Sequence, residues 1–181
     1  MAQWVIDPVH SEIKFKVKHL VISTVTGQFN AVRGTVQASK SDFSDARVRF
    51  EADIESINTN NAQRDAHLKS ADFFDAASYP TLSFESKSIR PKGNGSYELQ
   101  GDMTIRGTTR PIALDVTYNG SVKGFDGDVA AFEITGKLNR QDFGLRWNAM
   151  TETGGVVVSD EVKIEIAVEL KQAEVADRVA A

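Results

Sequence analysis

The sequence predicts an all-β fold: eight antiparallel strands, as a barrel or a sandwich, with one short helical insert between the third and fourth. Three observations carry this. Apolar and polar residues alternate with period two along most of the chain, as in strands buried on one face. Turn clusters (SKSDFSD, PKGNGS, GTT and GFDG) separate the alternating runs at hairpin spacing. Only the stretch 60–80, NNAQRDAHLKSADFFDAASYP, departs from the alternation toward helical spacing.

Taken in order, residues 3–7 are an extended lead-in ended by Asp7-Pro8. The first strand, 12–20, places Ile13, Phe15, Val17 and His19 on one face and Lys14, Lys16 and Lys18 on the other. The second follows the turn at Gly27 and ends at Ala38. Val36 belongs to its inward row, while Phe29 is out of phase with that row, which suggests a bulge. The third, 46–57, sets Val48, Phe50, Ala52 and Ile54 inward against charged neighbours. After the insert, the fourth strand (81–89) turns Leu82 and Phe84 inward, and the fifth (96–106) turns Tyr97, Leu99, Gly101 and Met103 inward. The sixth carries Ile112, Leu114, Val116 and Tyr118. The seventh carries Ala130, Phe132, Ile134, Gly136 and Leu138. A long loop, 139–155, leads to the eighth strand (160–171), with Val162, Ile164, Ile166, Val168 and Leu170 inward. Residues 1–171 then form one domain, and 172–181 a tail that reads as a frayed helix or disordered segment.

In the insert, Asn60 or Asn61 can cap a short helix by accepting a free N–H of its first turn. Pro80 forces Tyr79 out of the α region and returns the chain to extended structure. Leu68, Phe73 and Phe74 are then either a lid over one mouth of the barrel or a plug in its core.

Composition narrows function. The 181 residues suit one domain with a sizeable core, and a net charge of −4 argues against a nucleic-acid partner. The absence of cysteine removes thiol chemistry and disulfides. No run is long and apolar enough for a membrane-spanning helix, and the charged outward faces argue against a lipid-embedded barrel. Without a signal-like start, the expected compartment is the cytoplasm.

The inward rows contain no Asp, Glu, Lys or Arg. That suits an apolar guest better than acid–base chemistry, which needs titratable groups beside the substrate. Gly34, Ala38, Ala52, Gly101, Ala130 and Gly136 on the inward faces leave room for such a guest, or fit the taper of a packed barrel. His10 and His19 differ by an odd number and no close ligand pair accompanies them, so no metal site or other cofactor is expected. Arg64, Asp65 and His67 either bind a polar head group or lock the insert. Arg140, Phe143 and Trp147 in the long loop either line a pocket mouth or pin the loop.

The segments WVIDPVHSEIKFKVKHL, GQFNAVRGTV, SINTNNAQRDAHLKSADFFDAASYPTLSFES, GDMTIRGTTRPIAL and NRQDFGLRW, in order over nearly the whole chain, resemble the YceI-like family. The resemblance implies a lipocalin-like β-barrel holding a polyisoprenoid or another long-chain amphiphile. Members of that family are often periplasmic and carry a signal peptide; none is read at the start of this sequence, so the expectation stays with the cytoplasm.

The expected function is therefore binding, storage or transport of an isoprenoid quinone, polyprenyl lipid, fatty acid or fatty amide, without catalysis and with no partner but the lipid and, as an option, a second copy of the chain. The expected walls are Phe15, Val17, His19, Val36, Phe50, Ile54, Leu68, Phe73, Phe74, Phe84, Leu99, Met103, Leu114, Phe132, Ile134, Phe143, Trp147, Ile164 and Ile166. The expected head-group residues are His19, Arg64, Asp65 and Arg140. The alternatives are a lipid isomerase or hydrolase using His19 with Arg64 and Asp65, and a packed structural module.

Overall fold

Period-two alternation produces a single antiparallel sheet that closes on itself. A computed structural model describes residues 1–174. Its strands are β1 (Ala2–Ile6), β2 (Glu12–His19), β3 (Ser23–Phe29), β4 (Val32–Ala38), β5 (Arg47–Asp53), β6 (Ile57–Asn58), β7 (Thr81–Gly93), β8 (Ser96–Ile105), β9 (Thr108–Gly124), β10 (Gly127–Asn139) and β11 (Val158–Gln172). Helix α1 (Ala62–Lys69) lies in the chain between β6 and β7. Hydrogen bonding runs β1-β4-β5-β7-β8-β9-β10-β11, and β11 returns to β1, closing the barrel.

The eleven strands build eight staves, because three staves are interrupted. β1 and β2 both pair with β11, on either side of a 3-10 turn at Pro8–His10. Asp7 caps that turn by accepting the Val9 N–H, and Pro8 has no N–H to give a ladder. The lead-in 3–7 is thus the strand that closes the barrel, with Trp4 opposite Gln172 and Val5 opposite Lys171. β3 and β4 are separated by Asn30 and Ala31, where the inward set switches from Gly27 and Phe29 to Val36 and Ala38. The out-of-phase Phe29 is explained by this break. The third stave departs from expectation at its end: β5 stops at Asp53, a 3-10 turn takes Ile54–Ser56, and only β6 resumes pairing, with β3.

Helix α1 starts where expected, with the Asn61 side chain accepting the Arg64 N–H at 3.0 Å. The expected boundary at 171 shifts slightly, since β11 runs through Gln172 and the Ala173 N–H donates to the Gln3 carbonyl. The rest of the anticipated tail, 175–181, lies outside the described residues. Among the described residues, no helix is long and apolar enough to cross a membrane.

The two barrel ends differ. One is closed by the turn between β4 and β5, which dips inward instead of standing in solvent. Its Phe43 is 3% exposed and packs on Trp4, Tyr118 and Phe132, with ring centroids 5.0–5.3 Å apart. The buried Tyr97 hydroxyl donates to the Asp42 carbonyl and pins this turn, and burial pushes the Tyr97 phenol up. The other end carries α1, the β2–β3 tip, and the loop between β10 and β11.

Candidate ligand-binding cavity

Between the two ends lies a cavity of about 430 Å³, within the range of small-molecule sites. Its surroundings follow from strand parity. On β2, β10 and β11 the inward side chains are fully buried toward the Phe43 end, as at Ile13, Phe132, Val168 and Leu170. Toward the other end they become half-buried, as at Phe15, Val17, Ile134, Leu138, Val162, Ile164 and Ile166. These residues point inward, so their remaining accessible surface faces the cavity. On the opposite wall Leu82, Phe84, Leu99, Met103 and Leu114 are buried, while Val48, Phe50 and Ile89 line the cavity half-buried. The longest half-buried apolar row on the cavity is thus that of the β10–β11–β2 wall.

The glycines do not create this space. A Cβ on Gly101 would meet the Phe84 ring at 2.6 Å, and one on Gly136 would meet Leu114 at 2.5 Å. Gly27 lies under the Phe15 ring, 2.3 Å from where its Cβ would stand. Ala52 and Ala130 are completely buried. Small residues here receive cross-strand side chains, and the taper reading of these positions holds.

Of the residues expected at the walls, Phe15, Val17, His19, Val36, Phe50, Leu68, Phe73, Phe74, Phe84, Leu99, Met103, Leu114, Phe132, Ile134, Phe143, Trp147, Ile164 and Ile166 all line the cavity. Ile54 does not. It sits in the 3-10 turn after β5, 1% exposed in the packed core, with its N–H on the Pro80 carbonyl, so strand parity no longer aims it at the cavity. Phe29 and Phe43 line the cavity as well. Phe43 escaped the sequence reading because one aromatic in a polar turn carries no period, whereas Phe29 was visible as the out-of-phase residue.

The insert and the long loop close the cavity jointly. His67 of α1 lies edge-on between Phe73 and Trp147, with centroids 5.0 and 4.7 Å away, and its Nε2 stands 2.9 Å from Asp72. Phe74 meets Phe29 edge to face, and Phe29 in turn meets Phe15. Arg106, in the β8–β9 turn, donates to the Phe73 carbonyl at 2.8 Å and the Gly144 carbonyl at 3.4 Å, tying the two segments together.

Most of the charged groups expected to meet a head group are engaged elsewhere. Asp65 does not reach the cavity. Its carboxylate accepts the Thr59 N–H at 2.9 Å and the Thr59 hydroxyl at 2.5 Å, because Thr59, two residues before the Asn61 cap, presents both donors to the first turn of α1. Arg64 lines the cavity, yet its guanidinium donates to the Thr59 hydroxyl at 2.8 Å and the Thr59 carbonyl at 2.6 Å. The two residues lock the insert. Arg140, 3% exposed, donates to the carbonyls of Leu145, Trp147, Val158 and Ser159. Burial pulls its guanidinium below the ordinary value, an effect partly offset by Asp160. It pins the long loop, with four of its five N–H donors on backbone carbonyls and Nη2 3.7 Å from Asp160. His19 differs: it is half-buried at the rim, lines the cavity, and among the described residues none hydrogen-bonds its ring.

Outside the cavity, Asp7, His10 and Glu169 come together, with His10 Nδ1 2.8 Å from Asp7 and 3.9 Å from Glu169. Lys171 Nζ lies 3.3 Å from the same Asp7 carboxylate. With an ammonium already in place, this cluster is an ion-pair tie between the first stave and β11.

The model of the YceI-like domain matches residues 4–170. A UPF0312 protein of Staphylococcus aureus (strain N315) is 36% identical over 176 residues, 96% of this chain and 100% of that protein. The crystal structure of the Campylobacter jejuni YceI protein is 33% identical, with a TM-score of 0.74 over 87% of this chain and 90% of that one. Burkholderia cenocepacia BcnA, at 21% identity and a TM-score of 0.77 over 91% and 98% of the two chains, shares the fold. So does a polyisoprenoid binding domain from Saccharophagus degradans, at 13% identity and a TM-score of 0.67 over 94% and 98%. A closed eight-stave barrel with a capped apolar interior, matched by the family model along almost its full length, makes this chain a member of the YceI-like domain family.

Proposed function

We propose that the barrel binds and carries one long-chain amphiphile, of the isoprenoid quinone, polyprenyl or fatty acyl class, with its tail along the β10–β11–β2 wall. The observation carrying this is the half-buried apolar row of Val17, Ile134, Leu138, Val162, Ile164 and Ile166 around a cavity of about 430 Å³. Apolar burial of a tail against such a row contributes roughly 25 cal/mol per Å² removed from water. The fold shared with the Saccharophagus domain, described as polyisoprenoid binding, supports the same class of guest. Of the four residues expected at the head group, His19 is the one left to meet it, since Arg64, Asp65 and Arg140 are engaged by the protein itself; the Lys18 ammonium, which donates to Thr24, also lines the cavity.

A lipid-modifying enzyme is the competing class. Among the described residues lining the cavity there is no Asp or Glu, and Asp65 is held on Thr59. Both observations support binding rather than turnover. Intact-mass measurement under native conditions, before and after organic extraction, tests the proposal. Protein purified from cells should carry an extractable long-chain lipid. A protein that is empty and shows no saturable uptake of any prenyl or acyl lipid would be a packed structural module.

A further inference from the structure

The cavity end of the barrel carries an apolar surface that the binding reading does not use. The β2–β3 tip, Leu20, Val21 and Ile22, stands 40%, 70% and 86% exposed. Beside it, the loop leading into β11 exposes Met150 and Val156. The two loops are joined: the Leu20 N–H donates to the Val157 carbonyl at 3.0 Å, and Met150 bridges to Val156. The patch runs directly into the cavity rim, since His19, Val157 and Val158 line the cavity.

The tip is also conformationally expensive. Leu20 and Val21 have φ of 51° and 67°, the left-handed region, where bulky and β-branched side chains are disfavoured and Asn or Gly sit easily. A hairpin selected only for folding would place Asn-Gly there. Three large apolar side chains kept in solvent on a strained turn point to a use outside the folded chain.

We propose that this tip inserts into a lipid bilayer surface, so that the amphiphile passes between membrane and cavity without crossing water. The inference rests on the carrier reading. The occupant is a bilayer because the patch is continuous with the mouth of an apolar cavity, whose guest dissolves in a bilayer and not in water. With a net charge of −4, the chain has no overall attraction to anionic lipid, so attachment comes from apolar insertion.

The test uses the full chain, phosphatidylcholine vesicles, and the fluorescent polyene parinaric acid as guest. Wild type should co-sediment with vesicles at low and high salt, and its rate of parinaric acid transfer should rise with vesicle concentration. Val21→Asp and Ile22→Asp should each lower vesicle association by about tenfold or more, because a buried large apolar side chain is worth more than a decade in affinity. They should leave parinaric acid binding in vesicle-free solution unchanged. The Leu20→Asn/Val21→Gly variant relieves the turn strain, so it should melt at higher temperature than wild type while losing vesicle association; this outcome does not depend on tolerance of a new charge. Phe125→Asp, on the exposed tip at the opposite end, should not alter association. Vesicle binding that persists in all three tip variants overturns the proposal. So does a tip variant that turns a dimer into a monomer with transfer unaffected, because the patch is then an interface between copies. Failure of wild type to take up parinaric acid or any prenyl lipid counts against the carrier reading, whereas co-sedimentation alone judges the docking surface.

Discussion

Phe43 meets Phe132 edge to face, with ring centroids 5.0 Å apart and an interplanar angle of 84°, and this contact seals one end of the barrel. The cavity is a one-ended pouch because the turn carrying Phe43 folds inward and is held there by the Tyr97 hydroxyl on the Asp42 carbonyl. Truncating Phe43→Ala should destabilise the fold by about 3–5 kcal/mol, the usual cost of Phe→Ala in a packed interior. Tyr97→Phe removes one hydrogen bond and should cost about 1 kcal/mol. Urea unfolding of both variants measures this. A Phe43→Ala loss no larger than that of Tyr97→Phe would mean the turn is not a plug.

Phe73 and Phe74 should separate in their effects, because Phe73 is 5% exposed whereas Phe74 is half-buried against Phe29. Phe74→Ala should speed ligand release with a modest loss of stability, since related binders differ mainly in off-rate. Phe73→Ala should mainly destabilise. Stopped-flow release of a fluorescent acyl chain, with melting curves, distinguishes them. Unchanged release in Phe74→Ala together with severe destabilisation would make both residues core.

The ion-pair tie of Asp7, His10 and Lys171 gives stability a pH window. The His10 hydrogen bond, with smaller help from the Val9 N–H and Lys171, holds the Asp7 carboxyl below its ordinary value. This contribution is present above the unfolded carboxyl pKa of about 3.9 and is lost as pH falls through the lowered one. Asp7, and more weakly Glu169, raise the His10 imidazole above its ordinary value. Its contribution is full below the unfolded pKa of about 6.5 and is lost as pH rises through the raised one. The two overlap between roughly pH 4 and 6.5. The melting-temperature difference between wild type and His10→Ala should therefore be larger near pH 5.5 than near pH 8.5, both chosen to flank the histidine range of about 6.5. A difference independent of pH would assign His10 no charged role.

His19→Ala should weaken binding of a lipid with a hydroxyl or quinone head more than binding of the matching bare hydrocarbon. A head buried without a partner costs roughly 1–3 kcal/mol, while a tail along Val17, Ile164 and Ile166 is indifferent to the imidazole. Calorimetric titration of both proteins with both ligands decides it. Equal losses would place the head away from His19.

The staves were legible because each long inward row has a charged partner row, as on β11, where Val162, Ile164 and Ile166 alternate with Glu161, Lys163 and Glu165. Parity carried most of the cavity lining with it. It misled at Ile54, where the row was extended past a strand end that no residue type announces. It was silent at Phe43, whose position depends on Trp4, Tyr118 and Phe132 from three other strands. The glycines misled in another way. An absent side chain reads as space in a sequence, but interiors are close-packed, and Phe84 and Leu114 lie over Gly101 and Gly136; Gly27, expected at a turn, instead sits within β3 under the Phe15 ring. The five-residue β1 looked like a lead-in because its partners, β4 and β11, lie far along the chain.

The most direct test of the central claim is to fill the cavity from its open wall. Val17 and Ile164 are inward and half-buried, with their free surface toward the cavity. Val17→Phe and Ile164→Phe therefore add bulk where there is space, unlike substitutions at Gly101 or Ala52. Saturation binding of a fluorescent prenyl or acyl chain should show one site per barrel in wild type and a strong loss in both variants, with the β-sheet circular dichroism retained. Uptake by the folded variants equal to wild type would contradict the account, because the guest would then lie somewhere other than against the β10–β11–β2 wall.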